Sequence, residues 1–176
     1  VLPEGQFVGV RLPGAPVNVE FLLASDAEQP GKKGRFVRVT NLAKSSFLHL
    51  AELQAFSGGE NLALSGIASQ ISTDFAGPAK YGNDGNTDGN YAAKTVFHTG
   101  RADNPWWEVD LGKEEFLEKV VVWNRVDAGT ADRLKKFKVE LFDENRVLRW
   151  SHEVAKTPKP SHALALDGAE TLPAVP

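Results

Sequence analysis

The chain has no cysteine among its 176 residues. Disulfides, thiolate nucleophiles and cysteine-ligated zinc are thereby excluded, so any stapling must come from packing or a metal. Positive charge is also short, with 20 Lys and Arg against 23 Asp and Glu and a formal net charge of -3. Without a broad basic field there is little to hold a phosphate backbone or an anionic membrane surface, which argues against nucleic acid as a partner. No run approaches the roughly 18 consecutive apolar residues that span a bilayer, so membrane insertion is not expected. The opening Val1-Leu-Pro-Glu-Gly5 carries neither the basic nor the apolar region of a secretory leader. Sequence signatures of a Gly-x-Ser-x-Gly elbow, a His-Glu-x-x-His helix and a phosphate-binding loop are missing as well. Some carboxylate pair is inevitable among so many acids, so a glycosidase reading stays a distant third and the chain is expected not to be an enzyme.

What is present is a series of short alternating segments, at 7–12, 17–22, 36–40, 47–56, 106–111, 120–124, 137–142 and 147–152. Turn clusters such as Leu12-Pro-Gly14, Ser57-Gly-Gly59 and Asp143-Glu-Asn145 separate them. This spacing predicts an all-β, antiparallel sandwich rather than alternating strands and helices. Residues 136–142 alternate polar and apolar, as a strand with one wet face does, whereas Val120-Val-Val-Trp123 reads as a central strand. Residues 114–119 have weak helical character, too short to stand without packing. Of Trp106 and Trp107, one is expected in the core. The likeness of Phe7-Val-Gly-Val10 to Phe36-Val-Arg-Val39 fits either an internal repeat or ordinary strand composition. One domain is expected over 1–176, with N-terminal strands at 1–33, a core at 34–156 and a tail at 157–176 that crosses the surface, with an edge strand at 163–166.

Asp84-Gly-Asn-Thr-Asp-Gly-Asn90 sets oxygen donors at alternate positions around glycines. Such a loop can aim several oxygens at one hard cation. It matches the first half of an EF-hand loop and then departs, because Thr95 stands where a Glu would close the shell. The same residues also make an Asx-rich turn with no metal, and both readings stand. Zinc is disfavoured, since no His pair has ligand spacing.

Asn61-Leu-Ala-Leu-Ser-Gly-Ile-Ala-Ser-Gln70, the Asp-Gly-Asn loop, His98-Thr99, Asn104-Pro-Trp-Trp-Glu-Val-Asp110 and Asn124-Arg-Val-Asp127 together resemble the F5/8 type C (discoidin) superfamily. The likeness covers about residues 60–155 and is nearest to the fucolectins, relatives of the family 32 carbohydrate-binding modules. It implies a discoidin-like jelly roll with a structural Ca2+. The matching ligands are the side chains of Asp84 and Thr95 and the carbonyls of Tyr81 and Asn86. The Glu that the family takes from its last strand has no counterpart after residue 155. Phe47-Leu-His-Leu-Ala-Glu-Leu-Gln-Ala-Phe56, with Arg35-Phe-Val-Arg-Val39 before it, resembles the strands that close the fold. A permuted arrangement follows, in which an N-terminal strand pair fills that place and Glu52 and the carbonyl of Ala51 complete the calcium shell.

The resemblance also implies a non-catalytic lectin that takes a terminal monosaccharide of fucose or galactose type in a shallow pocket. His98 and Arg125 stand 27 residues apart, as the family pattern has them, and Asp127 follows to orient an arginine. Arg133 falls one residue later than the pattern, and Ala128-Gly129 replaces an adjacent cysteine pair that packs on the sugar. Tyr91 matches an aromatic position and Phe75 is placed at the same mouth, either offering an apolar platform. A lone His is more often structural, and an Arg with an Asp two residues on can be a plain surface ion pair. His49, His152 and His162 have no pattern around them. A discoidin-type domain binding protein or phospholipid is the alternative, weakened because the loops are polar apart from Phe75 and Phe97. Weak monosaccharide binding would favour an oligomer or a larger multidomain protein. The resemblance implies a secreted or cell-surface location.

Overall fold

The computed structural model describes residues 31–166, and the expected strands at 7–12 and 17–22 lie outside them. Ten strands make two antiparallel sheets. β1 (Lys32–Asn41), β4 (Ile67–Gln70), β6 (Trp106–Leu117), β8 (Phe137–Phe142) and β9 (Leu148–Val154) form the first, in the order β4-β6-β1-β8-β9. β2 (His49–Ser57), β3 (Glu60–Asn61), β7 (Lys119–Asn124) and β10 (Ser161–Ala165) run β10-β7-β2-β3 in the second, with the two-residue β5 (Phe97–His98) paired to β2. Among the described residues there is no α-helix, only 3-10 turns.

Alternation builds the core. In the first sheet Val37 lies between Val109 and Leu141, and Val39 between Trp107 and Val139, giving two transverse apolar rows that are all buried. In the second, Leu53 faces Val122, and Val120 lies between Ala55 and Leu164. Trp107 is the core tryptophan, stacked on Phe97 at 5.4 Å with its indole N–H donating to the Ala79 carbonyl at 2.8 Å, while Trp106 is half-buried.

The segments 35–39 and 47–56 take central places, β1 in one sheet and β2 in the other, and do not pair with each other. β7 is internal, as its apolar run predicts. Two expectations need correction. Residues 114–119 form no helix: β6 continues to Leu117 opposite β1, with Lys33 bonded to Glu114 at 2.9 Å, and β7 starts at Lys119, so sheet pairing overrides a weak local preference. The outer face of β8 is not wet, since Glu140 is buried beside Thr40 and Lys138. The sandwich includes β1 from Lys32 and, to Ala165, β10, an edge strand with Ala163 and Leu164 buried.

Candidate functional site

Two short segments meet across the start of β2. β5 pairs with β2 so that His98 faces His49, and Phe97 faces Leu50, which on its other side faces Asn124 at the end of β7. Phe97 turns into the core and is no exposed loop spike, which corrects the apolar-loop reading. Alternation then sends His98 to the other side. Arg125 follows Asn124 directly, which is why residues 27 apart in the chain become neighbours.

A cavity of about 490 Å³ opens there, lined by Phe47, Phe75, Tyr91, His98, Arg125, Ala128, Thr130 and Arg133. Five of the six residues expected at a sugar site thus line one concavity, and the sixth, Asp127, holds Arg125. Its carboxylate accepts from Arg125 Nε at 2.5 Å and Nη2 at 3.2 Å, which leaves Nη1 and the second Nη2 hydrogen as donors for a ligand. The same pair keeps the Asp127 carboxyl below its ordinary pKa. The Arg125 guanidinium also lies 4.5 Å above the Tyr91 ring.

His98 is set as an acceptor. Its Nδ1 lies 2.7 Å from the Thr99 carbonyl, which can only accept, so Nδ1 carries the proton and Nε2 keeps its lone pair. Burial lowers the His98 pKa, and Arg125 and Arg133 lower it further. The imidazole is therefore neutral at pH 7. A depressed folded pKa means that protonation waits until the pH has dropped below the ordinary value of about 6.5. Ligand binding that uses Nε2 is expected to stay level from pH 8 to about 6.5 and to fall only at lower pH; titrations at several pH values check this, and a fall already near pH 7 would rule out the neutral acceptor.

Loop geometry fixes the aromatic walls. Phe75 and Ala76 both take positive φ, at 50° and 52°, a conformation that non-glycine residues adopt only when their surroundings hold it. Here the backbone N–H of Asp74 donates to the His98 carbonyl, that of His98 donates to the Gly77 carbonyl, and the Tyr91 hydroxyl donates to the Phe75 carbonyl. The Phe75 ring ends 4.6 Å from His98 and 5.8 Å from Phe47. Asn41 donates to the carbonyls of Phe47 at 2.8 Å and Arg133 at 3.1 Å, joining two walls through one amide.

Phe47, Thr130 and His49 were missed as site residues, whereas Ala128 lines the cavity where the resemblance put the pair that packs on the sugar. Phe47 reads as the first residue of a strand, and its place shows only once β2 and β5 are in register. His49, buried with its ring 5.0 Å from that of His98, has neither nitrogen bonded among the described residues. Desolvation pushes its pKa down to about 3.

The Asp84 loop is a chain of Asx turns. The side-chain oxygens of Asp84, Asn86, Asp88 and Asn90 each accept the backbone N–H two residues on, at 2.9 to 3.0 Å. Thr95 donates its hydroxyl to the Asp88 carbonyl at 2.6 Å, keeping lone pairs for a further contact. Glu52 reaches this loop from β2. A bulge at Ala51 breaks the register between Leu50 and Glu52, and Glu52 Oε1 accepts from Gly85 N at 3.1 Å. Glu52 Oε2 is buried with no partner among the described residues. Burial, with the Asp84 carboxylate adding repulsion, drives the Glu52 pKa up to about 8. Two carboxylates held together without a counter-charge, next to hydroxyl and carbonyl oxygens, suit a hard divalent cation. Tyr81 sits in the 3-10 turn Ala79–Gly82 just before the loop. No cluster of three or more His, Cys, Asp or Glu forms among the described residues, so such an ion would depend on carbonyl and hydroxyl oxygens as well.

Comparison with known proteins places the chain. Residues 81–171 match the F5/8 type C family model described as the NedA-like, galactose-binding domain. Fucolectin-3 of Anguilla japonica is 42% identical over 73 residues, which are 39% of this chain and 40% of the relative. The chain thus matches about two fifths of the length of that curated protein. Among solved structures, a fucose binding module of Streptococcus pneumoniae superposes with a TM-score of 0.58 at 30% identity, over 62% of this chain and 80% of that one. The lectin domain of lectinolysin, complexed with Lewis B antigen, gives 0.59 at 38% identity over 60% and 76%. The chain belongs to the F5/8 type C family, as a NedA-like, galactose-binding domain.

Proposed function

We propose that this domain is a non-catalytic carbohydrate-binding module whose cavity takes a terminal monosaccharide of fucose or galactose type. The observation that carries the reading is the convergence of a neutral His98 acceptor, an Asp127-held Arg125 donor and the apolar faces of Phe47, Phe75 and Tyr91 on one shallow cavity. A neutral sugar needs that combination: acceptors and donors for its hydroxyls, a dry face for its C–H bonds, and no net charge from the ligand itself. Arg133, on the 3-10 turn Ala131–Leu134, supplies a second guanidinium. The family likeness supports the same conclusion, with the solved relatives described as fucose binding or bound to Lewis antigens.

The Phe47 and Phe75 rings favour fucose, whose C6 is a methyl, whereas C6 of galactose carries a hydroxyl. Burying that methyl is worth about 0.8 kcal/mol, roughly a fourfold preference. A glycan array followed by competition with free fucose and free galactose tests this. Binding to fucosylated glycans, displaced better by fucose, is expected. Silence across fucosylated and galactosylated glycans from a folded, calcium-loaded domain would sink the reading and bring protein or lipid recognition forward. The calcium shell we propose comprises Asp84, Thr95 and Glu52 through side chains and Tyr81, Asn86 and Ala51 through carbonyls, and the ion would brace the loop beneath the pocket. The fucose-binding relatives further support a secreted or surface location and a glycan partner.

A further inference from the structure

Five of the seven arginines within residues 31–166 are paired with a carboxylate, namely Arg35, Arg38, Arg125, Arg146 and Arg149. The other two, Arg101 and Arg133, have no carboxylate in ion-pair range among the described residues, and both lie against one ring. Their guanidinium carbons stand 5.2 Å and 5.5 Å from the centroid of Phe47. Arg133 lines the cavity; Arg101 does not, and is exposed.

Arg101 is carried on firm backbone. Ser46 and Ala102 exchange both backbone hydrogen bonds at 2.9 Å, and Thr99 N donates to the Leu48 carbonyl at 2.9 Å, so the segment crosses directly over Phe47. The nearby acids are engaged elsewhere: Asp103 accepts from Ser45 N at 2.7 Å and Asp74 from Phe75 N at 2.7 Å. In an acidic chain, an unpaired arginine stacked on the wall of a sugar pocket is conspicuous. A guanidinium fork has little use for one more neutral hydroxyl, but it matches a sulfate or carboxylate in two bonds.

We propose that Arg101 forms a subsite for an acidic group, sulfate ester or carboxylate, on the sugar next to the terminal residue in the cavity. The inference rests on the carbohydrate reading above and narrows it to acidic glycans. Phe47 then serves both subsites, one by its edge toward the pocket and one through the cation it carries. Because the contact is exposed, it should screen with salt.

Calorimetric titration tests it with three ligands: a neutral fucosylated trisaccharide, the same trisaccharide with a sulfate on its galactose, and the same with a terminal sialic acid. Wild type is expected to bind at least one acidic form about threefold better than the neutral one at low salt, as one exposed charge pair allows. Arg101→Ala should erase that preference and leave neutral binding within twofold, and Arg101→Lys should keep part of it. A gain for sulfate alone or for sialic acid alone identifies the group. Neutral binding with no acidic gain overturns the subsite and leaves the carbohydrate reading intact, as does a preference that survives Arg101→Ala. Absence of all three interactions overturns both.

Discussion

Arg125→Ala is expected to reduce affinity for the monosaccharide by about 100-fold or more, beyond detection for a site that is weak to begin with. The substitution acts twice. It removes the donor that Asp127 holds in place, and a hydrogen bond from a charged group contributes about 1.5 to 3 kcal/mol, each 1.4 kcal/mol being tenfold. It also strips Asp127 of its partner, so a carboxylate remains beside the cavity without its counter-charge. Tyr91 loses the cation above its ring too. Arg125→Lys separates charge from shape. It keeps the cation but cannot engage Asp127 and a ligand together through one planar fork, so most of the loss should remain. Asp127→Asn should weaken binding less, since an amide oxygen still accepts one of the two bonds. NMR titration with free fucose, alongside circular dichroism to show that each variant folds, makes the comparison. Retention of affinity within threefold in Arg125→Ala would remove Arg125 from the site.

The register of three strands explains why such a site was partly legible. The spacing from His98 to Arg125 carries meaning because β5 and β7 both pair with the first residues of β2, His49 and Leu50, which bring the two side chains to one place. Spacing alone cannot say this; the family resemblance supplied it. Phe47 and His49 stayed hidden for the same reason, as their role depends on a two-residue strand far too short to leave a pattern. Glu52 was legible through resemblance, while the means of presenting it was not. Apolar positions fall at Leu48, just before β2, and Leu50, then at Leu53 and Ala55, a slip of phase that marks the bulge at Ala51. Residues 114–119 misled because charged residues at a sheet margin alternate poorly; pairing with 32–34 decides their conformation, and local preference does not. The sandwich itself was plain, since the rows through Val37 and Val39 need only regular alternation in β1, β6 and β8.

Removing calcium is expected to lower the melting temperature by about 5 to 10 °C. An ion present at 100 times its dissociation constant contributes about 2.7 kcal/mol, and a domain of this size moves by about 2 to 4 °C per kcal/mol. Two distant segments would be joined by the ion, β2 through Glu52 and the loop from Asp84 to Thr95, so its loss should loosen both. Glu52→Gln is the decisive variant. Gln keeps an oxygen to accept from Gly85 N, so a merely structural Glu52 would be replaced at little cost and the protein would respond to calcium as wild type does. A ligand behaves otherwise: the calcium increment disappears, yet in chelator the variant melts at or above wild type, because an amide needs neither the burial of a charge nor the uptake of a proton that Glu52 requires. Scanning calorimetry with calcium and with chelator, on both proteins, distinguishes the cases, and identical melting of wild type in the two buffers would dismiss the ion. The loop is also tied to the cavity, since Val126 N donates to the Gly89 carbonyl at 3.0 Å and Tyr91 follows the loop directly. Calcium should therefore support binding as well as stability, and chelation should weaken fucose binding at temperatures where the domain is still folded.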